Sequence, residues 1–153
     1  MSGLSNTYAK AVANHFFRGD SEYTAQARPS TLYIALHRSS PSDVESSAGE
    51  LEGGAYERQP ISFDPPITEL PSATPTNGEL VYNTYISNNA SIFFPRLPAS
   101  EISHIGIWTD KYSGDLLFSD AIINTDATPV TAYILNTGDS LVVPENSIKI
   151  YIV

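Results

Sequence analysis

The stretch Ile102-Ser-His-Ile-Gly-Ile-Trp-Thr109 runs into Asp110-Lys-Tyr-Ser-Gly-Asp115 and then into Leu116-Leu-Phe-Ser-Asp-Ala-Ile-Ile123. Two runs of β-branched, aliphatic and aromatic residues flank a polar linker containing Gly114, the pattern of a β-hairpin with a longer loop. Ile105 and Ile107 alternate with His104, Gly106 and Trp108, so neither face of the first strand is strongly polar. A strand apolar on both faces belongs in the middle of a sheet, covered above and below. Trp108, the single tryptophan, is read as core on that strand.

Toward the N-terminus, Tyr56-Glu-Arg-Gln-Pro-Ile-Ser-Phe63 reads as a strand that Pro60 confines to an edge or a bulge. Thr31-Leu-Tyr-Ile-Ala-Leu-His-Arg38 is another, with Leu32, Ile34 and Leu36 on one face and Tyr33, Ala35 and His37 on the other. His37 is expected at the rim, solvated or hydrogen-bonded. Residues 1–18 read as a short N-terminal helix: Tyr8, Val12 and Phe16 recur at four-residue spacing, Leu4 leads in, Ser5 or Asn6 caps, and Gly19 stops it. Such a helix closes an end or edge of a sheet, or else binds a partner.

Two long irregular segments interrupt the strands. Residues 39–55 form an acidic loop with four acidic residues, no basic ones, and Gly53-Gly54 at its end. It is either a solvated surface loop or one ordered by a partner. Residues 64–79 form a Pro-rich arm containing Pro65, Pro66, Pro71 and Pro75, with Ile67 and Leu70 as apolar anchors. Prolines at this spacing favour extended backbone that cannot pair fully in a sheet.

Further strands are expected at 80–87, 90–94, 130–135, 140–143 and 147–153, with turns at Ser87-Asn-Asn, Asn136-Thr-Gly-Asp139 and Pro144-Glu-Asn. Eight or nine short strands with regular turn signals mean a sandwich, jelly roll or barrel. The fold expected is one mainly β domain over residues 1–153, antiparallel and jelly-roll or sandwich-like, with one short helix and long Pro/Gly-rich loops. No repeat of fixed period is present, which disfavours a fibre shaft or solenoid.

Composition removes several function classes. Charged residues make up 16% of the chain, against roughly 25% in an average domain, which suits a surface covered by neighbours. The net charge is −9 and the eight Lys and Arg are scattered, so the basic stripe that nucleic-acid binding requires is missing. Zero cysteines exclude disulfides and thiolate chemistry. No basic-then-apolar leader and no long apolar run is seen, so neither export nor a membrane span is expected. Without export, Asn89-Ala-Ser91 is a chance glycosylation match.

Nor does catalytic chemistry stand out. His15, His37 and His104 lack metal-ligand spacing, and there is no nucleophile elbow, phosphate loop or dinucleotide fingerprint. Asp110 with Asp115, and Asn136 with Asp139, bracket turns without the ligand density of a dedicated calcium loop. No enzyme activity, cofactor or metal is expected.

An ordered set of motifs resembles a known pattern. Leu4-Ser-Asn heads the helix; Thr31-Leu-Tyr-Ile-Ala-Leu-His, Pro41-Ser-Asp and Gly53-Gly-Ala-Tyr-Glu-Arg-Gln-Pro-Ile-Ser-Phe63 follow. Ala90-Ser-Ile-Phe-Phe-Pro95, His104-Ile-Gly-Ile-Trp, Gly114-Asp-Leu-Leu-Phe-Ser-Asp-Ala and Asn136-Thr-Gly-Asp-Ser-Leu-Val-Val-Pro complete it. In this order, over most of the chain, they resemble small virion proteins of tailed bacteriophages, described as head decoration or tail-fibre-like proteins. The longer segment at 64–79 departs from that pattern.

The resemblance implies a structural virion protein with no catalytic residues. The reading it supports is a capsid decoration (cement) protein on the capsid exterior, made in the host cytoplasm, that bridges capsid subunits. Its partners would be the major capsid protein and further copies of itself in a homo-oligomer, with no nucleic acid and no membrane. The alternative is a tail or head fibre component involved in host attachment. Pro65, Pro66, Ile67, Leu70 and Pro71 are the expected partner-binding residues, with the arm lying either on a neighbour or back on its own domain.

Overall fold

A computed structural model of the chain describes residues 3–13, 17, 29–41, 49–69, 82–122 and 132–152. Its frame is a five-stranded antiparallel sheet built around the central hairpin. The strands are β1 (Gly3–Leu4), β2 (Leu32–His37), β3 (Gln59–Ile61), β8 (His104–Trp108) and β9 (Leu116–Ala121), in the order β1-β9-β8-β2-β3. As its two apolar faces require, β8 sits in the middle, paired with β2 on one side and β9 on the other. Pro60 lies in β3, an outer strand, where a missing backbone donor does least harm.

Cross-strand register sorts the side chains. Ile34, Ile107 and Phe118 align across three strands on one face; Tyr33, Trp108 and Leu116 align on the other. A register shift between Ile107 and Trp108 leaves Leu117 as the extra residue of β9, and such a bulge turns a side chain out of the alternation.

The first face meets a second layer made of three short antiparallel sheets. These are β4 (Ile67–Glu69), β5 (Asn83–Ser87) and β12 (Lys149–Ile152), in the order β12-β5-β4; β6 (Ile92–Phe94) with β11 (Leu141–Val143); and β7 (Ser100–Ile102) with β10 (Tyr133–Leu135). One apolar cluster joins the layers: Ile34, Leu36, Ile105, Ile107 and Phe118 of the large sheet pack with Phe94, Leu97, Ile102, Leu135 and Ile148. The expected mainly β, antiparallel, sandwich-like class is therefore observed. The second layer is split into short pieces, so the strand order among the described residues does not resolve a jelly roll.

Asn88 holds that second layer together from the inside. It is fully buried, its amide donates to the carbonyls of Ala90 (3.0 Å) and Pro144 (2.9 Å), and its side-chain oxygen accepts from Ile148 N (2.9 Å). A buried amide with donors and acceptor all engaged fixes geometry without leaving a desolvated group unmet.

Two expectations need correction. The helix does not begin at the N-terminus: α1 spans Asn6–Ala13, and Gly3 and Leu4 instead pair with Ser119 and Phe118 at the free edge of β9. Ser5 marks the switch, its hydroxyl accepting from Tyr8 N at 3.4 Å and its carbonyl from Ala9 N at 2.9 Å, as an N-cap does. The expected C-terminal half of the helix, apart from Phe17, lies outside the described residues. Of the two states expected for His37, solvated or hydrogen-bonded at the rim, the hydrogen bond is present, from the Trp108 indole, but the rim position is not. His37 is fully buried, because Glu50 bridges to it in antiparallel fashion and the 50–58 segment folds over the second face of the sheet.

Candidate functional surface

Of the expected partner-binding residues, the structure describes Pro65, Pro66 and Ile67; Leu70 and Pro71, like the turn at Asn77-Gly78, lie outside the described residues. Pro65 and Pro66 are exposed and irregular. Ile67 opens β4, whose three residues are all exposed and pair with β5 through Ile67–Tyr85, Thr68–Thr84 and Glu69–Asn83. The start of the arm is thus anchored to its own domain by backbone pairing, as an outer strand, while the Ile67 side chain stays 47% exposed. The Pro pair explains the position: it blocks pairing before Ile67 and leaves Ile67-Thr-Glu69 free to pair.

The sheet β12-β5-β4 presents an aromatic surface. Ile67, Tyr85 and Tyr151 align across the three strands. Tyr85 is buried beneath its neighbours: its ring lies 5.4 Å from that of Tyr151, the Lys149 ammonium sits 4.6 Å above it, and its hydroxyl donates to Glu69 at 3.4 Å. Tyr151 and Ile152 remain half exposed or more. Alongside β12 runs an apolar cleft of about 440 Å³, lined among others by Ile105, Phe118, Ile122, Val142, Lys149 and Tyr151. The outward faces of the small sheets add Phe93 opposite Val142, both more than half exposed, and Ile134. Side chains of this kind supply contact area.

The second face of the large sheet carries the one dense polar cluster among the described residues. Arg58 is 5% exposed and makes a forked pair with Glu50, Nε to Oε1 at 2.8 Å and Nη2 to Oε2 at 2.7 Å. Its Nη1 donates to the carbonyls of Asp110 (2.9 Å) and Ser113 (2.7 Å), and the guanidinium carbon lies 4.1 Å over the Trp108 ring. Tyr56 donates its hydroxyl proton to Glu50 at 2.9 Å while accepting from Leu36 N at 3.1 Å. Burial and the Glu50 carboxylate push the Tyr56 phenol well above its ordinary value. Arginine's planar fork satisfies a carboxylate and two carbonyls at once, which an ammonium cannot do.

This cluster is a clip. It ties the 50–58 segment to the hairpin loop, with every side-chain heteroatom of Arg58, Glu50 and Tyr56 engaged. The shallow depression outside it, lined by Glu57, Lys111 and Tyr112, is held by a surface ion pair of 3.1 Å between Lys111 and Glu57; that pairing raises the Lys111 pKa. Sequence reasoning missed Arg58 because it is one isolated cation in a run that otherwise reads as strand.

His37 completes the face. The Trp108 indole N–H points to its Nε2 at 3.4 Å, the two rings stack with centroids 6.1 Å apart, and Nδ1 meets no protein partner among the described residues. Burial, opposed by the Glu50 carboxylate and aided to a lesser degree by the Arg58 and His104 charges, holds its pKa down at about 4. Gly106 permits this stacking: a Cβ there would stand 2.8 Å from both His37 Nε2 and Trp108 Nε1.

The acidic turn residues are spent on the backbone. Asp110 Oδ1 accepts from Tyr112 N (2.9 Å) and Ser113 N (3.3 Å), bonds that lower its pKa, and Asp139 accepts from Asn136 N at 2.8 Å. Among the described residues no group of three or more His, Asp or Glu side chains is placed to hold a metal, and no helix is long and apolar enough to cross a membrane.

A family model described as "Podophage GP4 fiber I protein gp80" matches residues 3–151. No curated protein matches the chain.

Proposed function

We propose, because this chain belongs to the podophage GP4 fiber I protein gp80 family, that it is a fibre component of a tailed-phage virion acting in host attachment. The observation that carries the reading is the family match across nearly the whole chain. The exposed surface suits an adhesive role. Its polar cluster is internally satisfied, while Ile67, Phe93, Ile134, Tyr151 and Ile152 offer apolar contact area.

In this reading the chain acts as a homo-oligomer, and Pro65, Pro66 and Ile67, followed by Leu70 and Pro71, contact a neighbouring virion protein. Nucleic acid is not a partner, given a net charge of −9. Capsid decoration, placed first on sequence grounds, differs in stoichiometry: a cement protein keeps a fixed ratio to the major capsid protein, whereas a fibre is present in few copies. Quantitative mass spectrometry of intact particles separates them. A few copies per particle supports the fibre; hundreds, in simple ratio to the major capsid protein, supports decoration.

A further inference from the structure

The two larger sheets of this protein have four outer strands, and three are blunted against pairing with another chain. β1 is only two residues long, β3 contains Pro60, and β4 follows Pro65-Pro66 and ends in Glu69. These are the devices by which natural sheets avoid edge-to-edge association. β12 carries only one charge, Lys149 at its first position, and its Ile150-Tyr151-Ile152 stretch has neither charge nor Pro. Lys149-Ile-Tyr-Ile152 is free of Pro and Gly, pairs with β5 without a bulge, and leaves Tyr151 50% and Ile152 59% exposed. Among the described residues no hydrogen bond reaches β12 from its outer side.

We infer that β12 is the homo-oligomer contact: it pairs antiparallel with β12 of a second copy about a two-fold axis, Tyr151 opposite Tyr151. The sequence Ile150-Tyr151-Ile152 is a palindrome about that axis. Ile150 then faces Ile152 of the second copy on one side of the joined sheet, and the two Tyr151 meet on the other. Residues opposite each other share a face only when the register is of this parity. Lys149, the strand's one charge, is carried roughly 14 Å from its own copy by the strand rise and spacing, so like charges do not meet. The result is a continuous six-stranded sheet, β4-β5-β12-β12-β5-β4, closed by the two-fold.

Pairing of three residues per copy, Ile150 to Ile152, is small beside the ~1,200 Å² that a stable interface buries, so the isolated dimer is weak and concentration-dependent. Each chain carries −9, and screening that repulsion with salt strengthens association. The inference specifies the homo-oligomer of the fibre reading. It is tested on isolated protein, so its failure leaves virion position open, and failure of the fibre reading leaves the dimer intact.

The chain has no cysteine, so single introduced thiols report the register directly. Under mild oxidation at about 100 µM, Tyr151→Cys brings two thiols opposite one another, within the ~4.4–6.8 Å Cα range of a disulfide, whereas Lys149→Cys lies outside it. The expected result is a disulfide-linked dimer for most of the Tyr151→Cys chain and for little of Lys149→Cys. Equal cross-linking of both, or none by a Tyr151→Cys chain that melts like the parent, overturns the pairing. Sedimentation of the unsubstituted chain checks it without thiols. A dimer that grows with concentration, is abolished by Ile152→Lys and survives Ile67→Lys is expected; a monomer throughout, or a trimer, refutes it.

Discussion

Acidification should destabilise this protein through His37, and the size of the effect follows from its surroundings. The imidazole is fully buried, stacked on Trp108, and held at a pKa of about 4 against an ordinary 6.5. A folded pKa below the unfolded one means that the unfolded chain binds the proton first. The stabilisation is therefore complete above pH 6.5, declines as pH falls, and is gone below pH 4. The difference amounts to about 3 kcal/mol in all, of which about 2 kcal/mol is lost between pH 7.5 and pH 5. His104, whose pKa burial also lowers, acts in the same direction.

Comparison with His37→Gln isolates the contribution. Glutamine is neutral throughout and still accepts from the indole, and carboxylate titrations are common to both proteins. Urea denaturation followed by fluorescence of Trp108, the single tryptophan, should show the parent losing about 2 kcal/mol more than the variant over that interval. Equal losses in both would mean that His37 is hydrated or paired, and would refute the desolvated site described above.

Arg58→Met should cost roughly 3–5 kcal/mol, since it strands the Glu50 carboxylate and two loop carbonyls, and Arg58→Lys should recover little of it; denaturation midpoints and hydrogen exchange in the 109–115 loop check this. Trp108→Ala should cost roughly 3–5 kcal/mol in chemical denaturation, as truncating a core aromatic does. Gly106→Ala should lose roughly 1–3 kcal/mol by pressing a methyl between His37 and Trp108, visible as a lowered midpoint and altered Trp108 emission. Ile67→Ser, at an outer strand with an exposed side chain, should leave the isolated protein's melting temperature within a few degrees while weakening its incorporation into particles.

What could be read in the sequence was whatever depends on local alternation. The central place of β8, the two-faced β2 and the outer position of Pro60 all follow from which residues neighbour which along the chain. The buried His37 did not, because its burial comes from Glu50, Tyr56 and Arg58 closing over the far face, a contact between segments that no strand pattern encodes. Arg58 was hidden for the same reason: it looks like any dispersed surface cation until Trp108 and the 109–115 carbonyls are brought beneath it. The short strand at Gly3–Leu4 was masked by helical spacing that continues through it, and only the unpaired edge of β9 decides its state. In the described part of the Pro-rich arm, residues 64–69, Ile67-Thr-Glu69 lies between prolines in sequence and is free to pair as an outer strand.

The account stands or falls on where this chain sits in the particle. Immunogold electron microscopy of intact virions, with antibody raised against the folded domain, reads that position directly. The fibre reading predicts gold on discrete fibres projecting from the particle, a few grains per particle. Gold spread evenly over the head shell would contradict it.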